Sequence, residues 1–213
     1  MNSSAFIICA KDCLFLPECV KQIRDRHNND IIIVDSYSKD QTCIKKIIKE
    51  YKNVLLHKDK NQNYEYGAIL KAFNSYSDKY EAFIFIQDSI YLKKHLDLSR
   101  LSENTVLIFR ADYSGWKSDP AAKSRLLKTY PGIRQLSSFV FSRHPMCIWN
   151  SFAVKTTTFK NILNSQIFKL TKPPKDKIDS RMWERIWAII MIHNKIKIIS
   201  ISDVITKKYG KRI

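Results

Sequence analysis

The sequence predicts one α/β domain with a central, mostly parallel sheet flanked by helices. Three observations carry the prediction. Short apolar runs recur at residues 5–10, 31–35 and 82–87, and they are continuous rather than alternating, as strands covered on both faces require. Longer segments with apolar residues at helical spacing separate them, which is the order of a parallel sheet with crossover helices. Two of the runs end at an acid, Asp35 and Asp88, at the strand ends where ligands bind in open α/β sheets.

Taken in order, residues 5–10 read as the first strand. Residues 14–27 follow as a helix with Leu16, Val20 and Ile23 on one face and Pro17 near its start, where proline is tolerated. Residues 31–34 are β-branched throughout, as a buried strand favours. A polar loop brings Asp40 to the start of a helix over 41–51, where it can cap, with Ile44, Ile47 and Ile48 inward. A short third strand (53–57), a polar loop (58–63) and a helix (64–76, with Ile69, Leu70 and Phe73 inward) lead to the Ile- and Phe-rich strand before Asp88, and 106–110 reads as the next strand. This alternation implies right-handed crossovers. The pattern then breaks. Residues 111–143, with Gly115, Pro120, Pro131 and Gly132, read as a long, partly helical insertion of the kind that carries function. A strand over 146–154, a helix over 158–167, a turn at 172–175 and a strong helix over 179–193 follow. Trp183, Ile186, Trp187, Ile190 and Met191 form the apolar side of that helix. Residues 195–201 read as the last strand, and 207–212 as a basic tail.

Composition narrows the class. The chain has 213 residues, 45% hydrophobic and 27% charged, with only four glycines and six prolines, which suits one globular domain and no low-complexity class. No apolar stretch reaches the ~20 residues of a transmembrane helix. Residues 1–4 lack a basic region and the apolar run after them breaks at Lys11 and Asp12, so no signal peptide is expected. The net charge of +17 favours anionic partners. Yet the joint richness in Lys, Ile and Asn has a compositional source too, and no arginine-rich tract or long block of like charge is present, which argues against a specific nucleic-acid partner. Five cysteines, with no CxxC pair, match neither a zinc site nor a disulfide framework; reduced thiols in a cytoplasmic protein are the expectation.

The run Ile33-Val34-Asp35-Ser36-Tyr37-Ser38-Lys39-Asp40-Gln41-Thr42 resembles the VDsgStDgT turn of nucleotide-sugar glycosyltransferases with the GT-A (Rossmann-like) fold. Gln87-Asp88-Ser89 looks like a degenerate form of the DxD these enzymes carry after an apolar strand, and Met182-Trp183-Glu184-Arg185-Ile186-Trp187 is similar to the late helix bearing their catalytic acid. The length and the QDS variant also resemble chlorella-virus glycosyltransferase domains involved in capsid glycan synthesis.

The resemblance implies transfer of a hexose or deoxyhexose from a nucleoside diphosphate, UDP first, to a hydroxyl of a glycan or glycoprotein. Residues 1–110 would form the nucleotide-binding half and 111–213 the acceptor and catalytic half. Asp35, Ala10 and Lys11 would lie beside the nucleoside, with Asp40 a further contact. Tyr66 and Gly67 would face the sugar or diphosphate. Asp88 would hold Mn2+ or Mg2+, which one or two carboxylates plus phosphate oxygens can bind; Gln87 and Ser89 flank it and point to the opposite face if the strand continues. Glu184 is the candidate general base, set between two tryptophans, with Asp179 its rival at the helix start. His144 and Arg143, with Trp149-Asn150-Ser151-Phe152 after them, would line the acceptor or sugar pocket. The basic tail, with Lys208 and Lys211, would reach back to the diphosphate. Two other classes are weighed. A nucleotidyltransferase calls for a glycine-rich loop after the first strand, and residues 9–15 contain no glycine. A basic nucleic-acid-binding module calls for basic and aromatic residues clustered on one face, without ordered acids at strand ends.

Overall fold

The computed structural model describes residues 4–112, 119–130 and 145–209. A seven-stranded sheet has the order β3-β2-β1-β4-β9-β6-β10. Its strands are β1 (Ser4–Ala10), β2 (Asp30–Asp35), β3 (Val54–Leu56), β4 (Ala82–Gln87), β6 (Thr105–Ile108), β9 (Phe152–Lys155) and β10 (Lys197–Ser200). Only β9 runs against the rest; it pairs antiparallel with both β4 and β6. The predicted α/β class with a mostly parallel sheet is therefore the observed one. The chain passes from β1 outward to β2 and β3, then returns to β4 on the other side of β1. The carboxyl ends of β1 and β4 thus form a switch point, where such sheets leave a crevice.

Each strand serves two cores because its side chains alternate. Phe6, Ile8, Ile31, Ile33, Ile84 and Ile86 meet α1 (Leu16–Arg24) and α2 (Thr42–Glu50) on one face. Ala5, Ile7, Ile32, Val34, Phe83 and Phe85 meet α3 (Tyr64–Tyr76), α4 (Pro120–Thr129), α5 (Thr156–Asn164) and α7 (Lys177–His193) on the other. The second face is aromatic: Phe73, Phe83, Phe85, Phe152, Phe159 and Trp187 pack with ring centroids 4.8–5.7 Å apart from neighbour to neighbour, tilted or edge-on except for the stacked pair Phe83 and Phe85. A short helix, α6 (Gln166–Lys169), follows α5. Among the described residues, no helix is long and apolar enough to cross a membrane.

Two expectations change. The single strand over 146–154 is two strands. β8 (Met146–Cys147) pairs with β7 (Ala111–Asp112), a 3-10 turn follows at Ile148–Asn150, and only then does β9 join the main sheet. Trp149 and Asn150 have φ of 61° and 50°, and two successive left-handed residues turn the chain out of one ladder and into another. The cysteines are not all thiols: Cys13 and Cys43 form a disulfide with Cα atoms 6.2 Å apart, while Cys19 and Cys147 stay as buried thiols. Spacing along the chain could not show this pair, because what joins them is the parallel pairing of β1 and β2, which brings the loop after one beside the helix after the other. Beyond the predicted last strand, the chain forms one more, β11 (Ile205–Lys207), which pairs antiparallel with β5 (Ile90–Leu92).

Candidate active site

A cavity of about 470 Å³ opens at the carboxyl ends of β1, β2 and β4. Ala10, Lys11 and Asp12 form its wall after β1; Ser36, Tyr37 and Lys39 come from the loop after β2; Tyr64 and Glu65 open α3; and Gln87 ends β4. The loops are held without glycine. Asp12, Tyr37 and Tyr64 all have φ between 52° and 59°, sparsely populated for such residues and fixed here by side-chain bonds around them. The Ser38 hydroxyl accepts the Asp12 N–H at 2.8 Å, and the Asp12 carboxylate accepts the Lys39 N–H at 3.1 Å, which stitches the first two loops together.

Ala10, Lys11 and Gln87 line this cavity as the sequence suggested. Asp35 does not. Its carboxylate is buried and accepts the Ser38 N–H at 3.0 Å, the Ser38 hydroxyl at 2.5 Å and the Gln41 side-chain amide at 2.6 Å. It shapes the loop whose Ser36, Tyr37 and Lys39 face the cavity, and is not itself placed against a nucleoside. Asp40 is exposed and accepts the Thr42 N–H at 2.8 Å at the start of α2; the Thr42 hydroxyl first and then this N–H pull its pKa down. Tyr66 turns inward, 4.2 Å from the Trp183 ring, and burial pushes its hydroxyl up to about 12. Gly67 is a matter of space: a Cβ there would come within 2.1 Å of the Asn61 side-chain oxygen. Asn61 in turn donates to Ser36 at 3.0 Å, so Gly67 acts on the cavity through its packing.

Asp88 is corrected most sharply. Its N–H still pairs with the Cys9 carbonyl at 3.1 Å, so it follows the pleat of β4 and points to the α1 side, opposite to Gln87. The carboxylate is fully buried, accepts the Lys11 N–H at 3.0 Å and does not line the cavity. Burial, and next this nearby charge, push the Cys19 thiol up. Gln87 and Ser89 face the other way. The Gln87 amide donates to Glu65 at 2.6 Å, and the Lys207 ammonium donates to both the Gln87 oxygen and, at 2.9 Å, the Ser89 hydroxyl. Among the described residues no three His, Cys, Asp or Glu side chains gather as a metal site. The residues at this strand end do not fit the expected Mn2+ or Mg2+: the one acid of the motif is turned away, and a cationic side chain holds its two neighbours.

A second cavity, of about 320 Å³, adjoins the start of α7. Glu184 lines it beside Trp149, Arg110, Arg181 and Tyr209. The Glu184 carboxylate accepts the Trp149 N–H at 3.0 Å, a bond made possible by the left-handed turn at Trp149. Burial raises the Glu184 pKa to about 7; the Trp149 bond and the charges of Arg185 and Lys177 oppose the shift only in part, and Glu65 adds to it. A carboxylate so tuned can accept a proton near neutral pH. The tryptophans flanking Glu184 in the sequence are not its setting, since Trp183 and Trp187 are fully buried in the aromatic core. Trp149 is the aromatic face on the cavity, with Arg110 at 5.5 Å and the Lys207 ammonium at 5.0 Å from its ring centre.

The remaining expectations divide. Asp179 is paired with Arg125 at 3.1 Å and accepts the Lys175 N–H at 3.0 Å, away from Glu184's cavity; the cap of α7 is Asp176. Lys208 donates its backbone N–H to the Ser89 carbonyl at 2.9 Å and sets its ammonium 5.9 Å from the Tyr91 ring centre, so its side chain is not at the cavity. Arg143, His144 and Lys211 lie outside the described residues. Trp149, in the segment expected to line the acceptor or sugar pocket, lines the second cavity. Sequence reasoning missed Glu65, which carries no motif, although the Glu following Tyr64 at a helix start just before the strand was a usable signal.

No curated protein matches the chain. Among solved structures, S. aureus TarS aligns with 43% of this chain at 18% identity and a TM-score of 0.35. The aligned part is 17% of that protein. The family model of glycosyl transferase family 2 matches residues 4–153, which hold β1 to β4, the first cavity and Trp149, and the chain belongs to glycosyl transferase family 2.

Proposed function

We propose that this chain transfers a hexose or deoxyhexose from a nucleoside diphosphate, UDP first among the candidates, to a hydroxyl of a glycan or glycoprotein. The observation that carries the reading is a pair of cavities in a family 2 fold, one at the strand ends that suits a nucleotide and one presenting a half-buried carboxylate tuned to about pH 7, with Lys207 touching Gln87 on the wall of the first and the Trp149 ring on the wall of the second. Residues 1–110 supply the donor side, with Tyr37 offering a ring and Lys11 and Lys39 offering charge. The later half supplies the acceptor side through Trp149 and Glu184.

In the reaction, the acceptor oxygen forms a bond to the anomeric carbon while the bond from that carbon to the phosphate oxygen breaks. Glu184 takes the acceptor's proton, and the departing diphosphate keeps the electron pair. The family implies a divalent cation for that last charge, but Asp88, buried and accepting the Lys11 N–H, does not fit one.

The test is release of the nucleoside diphosphate and appearance of labelled product, with UDP- and GDP-hexoses offered to a panel of glycan acceptors. Sugar-dependent release is expected. Failure to bind any nucleotide, together with tight oligonucleotide binding of steep salt dependence, would favour the basic nucleic-acid-binding module instead.

A further inference from the structure

We propose that the Lys207 ammonium takes the place of a divalent cation in this site, so that the nucleoside diphosphate is bound and released without a metal. The inference rests on the glycosyltransferase reading above and specifies its donor chemistry.

In a D-x-D motif the two acids stand two residues apart and so share one face of an extended chain. The residues at those two positions here are Gln87 and Ser89, and Asp88 is the middle residue, turned to the α1 side. Lys207 sits on the shared face and donates to both oxygens. The substitution is chemically coherent. Two carboxylates suit a dication, whereas a neutral amide oxygen and a hydroxyl suit an ammonium. On the other side of Gln87, Glu65 accepts its amide N–H and also the Ser180 hydroxyl at 2.9 Å.

Lys207 is also held like a part of the site and not like a frayed end. β11 pairs antiparallel with β5, which puts Lys207 opposite Ile90, and the next N–H, of Lys208, donates to the Ser89 carbonyl. The strand therefore follows the turn after β4 residue by residue. The ammonium lies between Gln87, on the wall of the first cavity, and the Trp149 ring, on the wall of the second. Charge would build at that junction as the bond from the anomeric carbon to the diphosphate breaks. Lys207 would donate to a diphosphate oxygen and offset the charge while keeping its own proton.

Isothermal titration of the full chain with UDP, and in parallel with GDP, decides the matter when run once in excess EDTA and once in excess MnCl2. The wild-type affinity is expected to agree within about threefold between the two conditions. Lys207→Met should weaken binding in EDTA roughly ten- to hundredfold, the usual loss of a charge-assisted contact, and Lys207→Arg should restore most of it. Thermal melting of the ligand-free variants checks that the fold is intact. Nucleotide binding that appears only with Mn2+ overturns the inference and leaves the glycosyltransferase reading in place. The same holds for a folded Lys207→Met that binds as wild type in EDTA. No nucleotide binding under either condition removes both.

Discussion

Asp88, after β4, and Glu184, on α7, stand at neighbouring corners of the same sheet edge. Asp88 is enclosed: it accepts a backbone N–H from the loop after β1 and faces the aliphatic core side. Glu184 also accepts a backbone N–H, from Trp149, but it opens onto a cavity and titrates near pH 7. The two differ in which way the local backbone turns them. Asp88 still follows the pleat of a strand whose preceding residue faces the donor cavity. Glu184 lies off the tryptophan stripe of its helix and escapes the core that takes Trp183 and Trp187. An acid at a strand end is thus a site residue only if the pleat places it on the cavity side.

The comparison breaks most readily at Glu184. Glu184→Gln is expected to lower sugar transfer by about 10²–10⁴-fold, the usual worth of a general base, with nucleotide affinity retained. Rates comparable to wild type would remove Glu184 as the base. A smaller effect on rate should come from pH: transfer rises about tenfold per unit up to pH 7 and levels above it, as the carboxylate ionises. The stability of the fold moves the opposite way. Because the folded pKa lies above the ordinary 4.5, this group's contribution is complete below that value and is lost as pH rises through 7. Urea midpoints at pH 6 and 8 should show the fall in the wild type and a flatter response in Glu184→Gln.

At the other corner, Asp88→Ala should cost about 1–3 kcal/mol by removing the buried acceptor of the Lys11 N–H, seen as a drop of several degrees in the melting temperature. Asp88→Asn keeps an acceptor and should recover much of that loss. An Asp88→Asn protein with unchanged melting that loses a Mn2+ effect on nucleotide binding would make Asp88 a metal ligand after all. The smallest expected effect lies away from both corners. His27 is buried, stacks on His95 at 4.3 Å and accepts the Leu96 N–H at 3.0 Å. Burial, then the neighbouring cations, pushes its pKa down to about 4. Its contribution to stability is present above pH 6.5 and lost as pH falls from there through 4. A substitution at His27 should flatten acid unfolding in that window and leave transfer at pH 8 unchanged.

The sequence by itself determined the layered fold. Continuous Ile- and Phe-rich runs, separated by segments with helical spacing, allow little else, because apolar surface on both faces of a strand must be covered. It also determined where on the sheet to look, since the runs over 31–35 and 82–87 end at polar turns, and Lys11, Gln87 and Glu184, which it singled out, each line a cavity. Other roles depended on directions that linear spacing does not encode. Asp35 and Asp88 read as ligand-facing acids. Asp35 is claimed by Ser38 and Gln41 of its own loop, whereas Asp88 is claimed by the Lys11 N–H of the loop after β1, which only the pairing of β1 with β4 brings near. Trp149 carries no motif and gains its place from a left-handed turn between two ladders. Lys207 read as one lysine of a basic tail. Its meeting with Gln87, 120 residues earlier, was decided by tertiary structure alone, because it requires the last strand to pair beside the turn after β4.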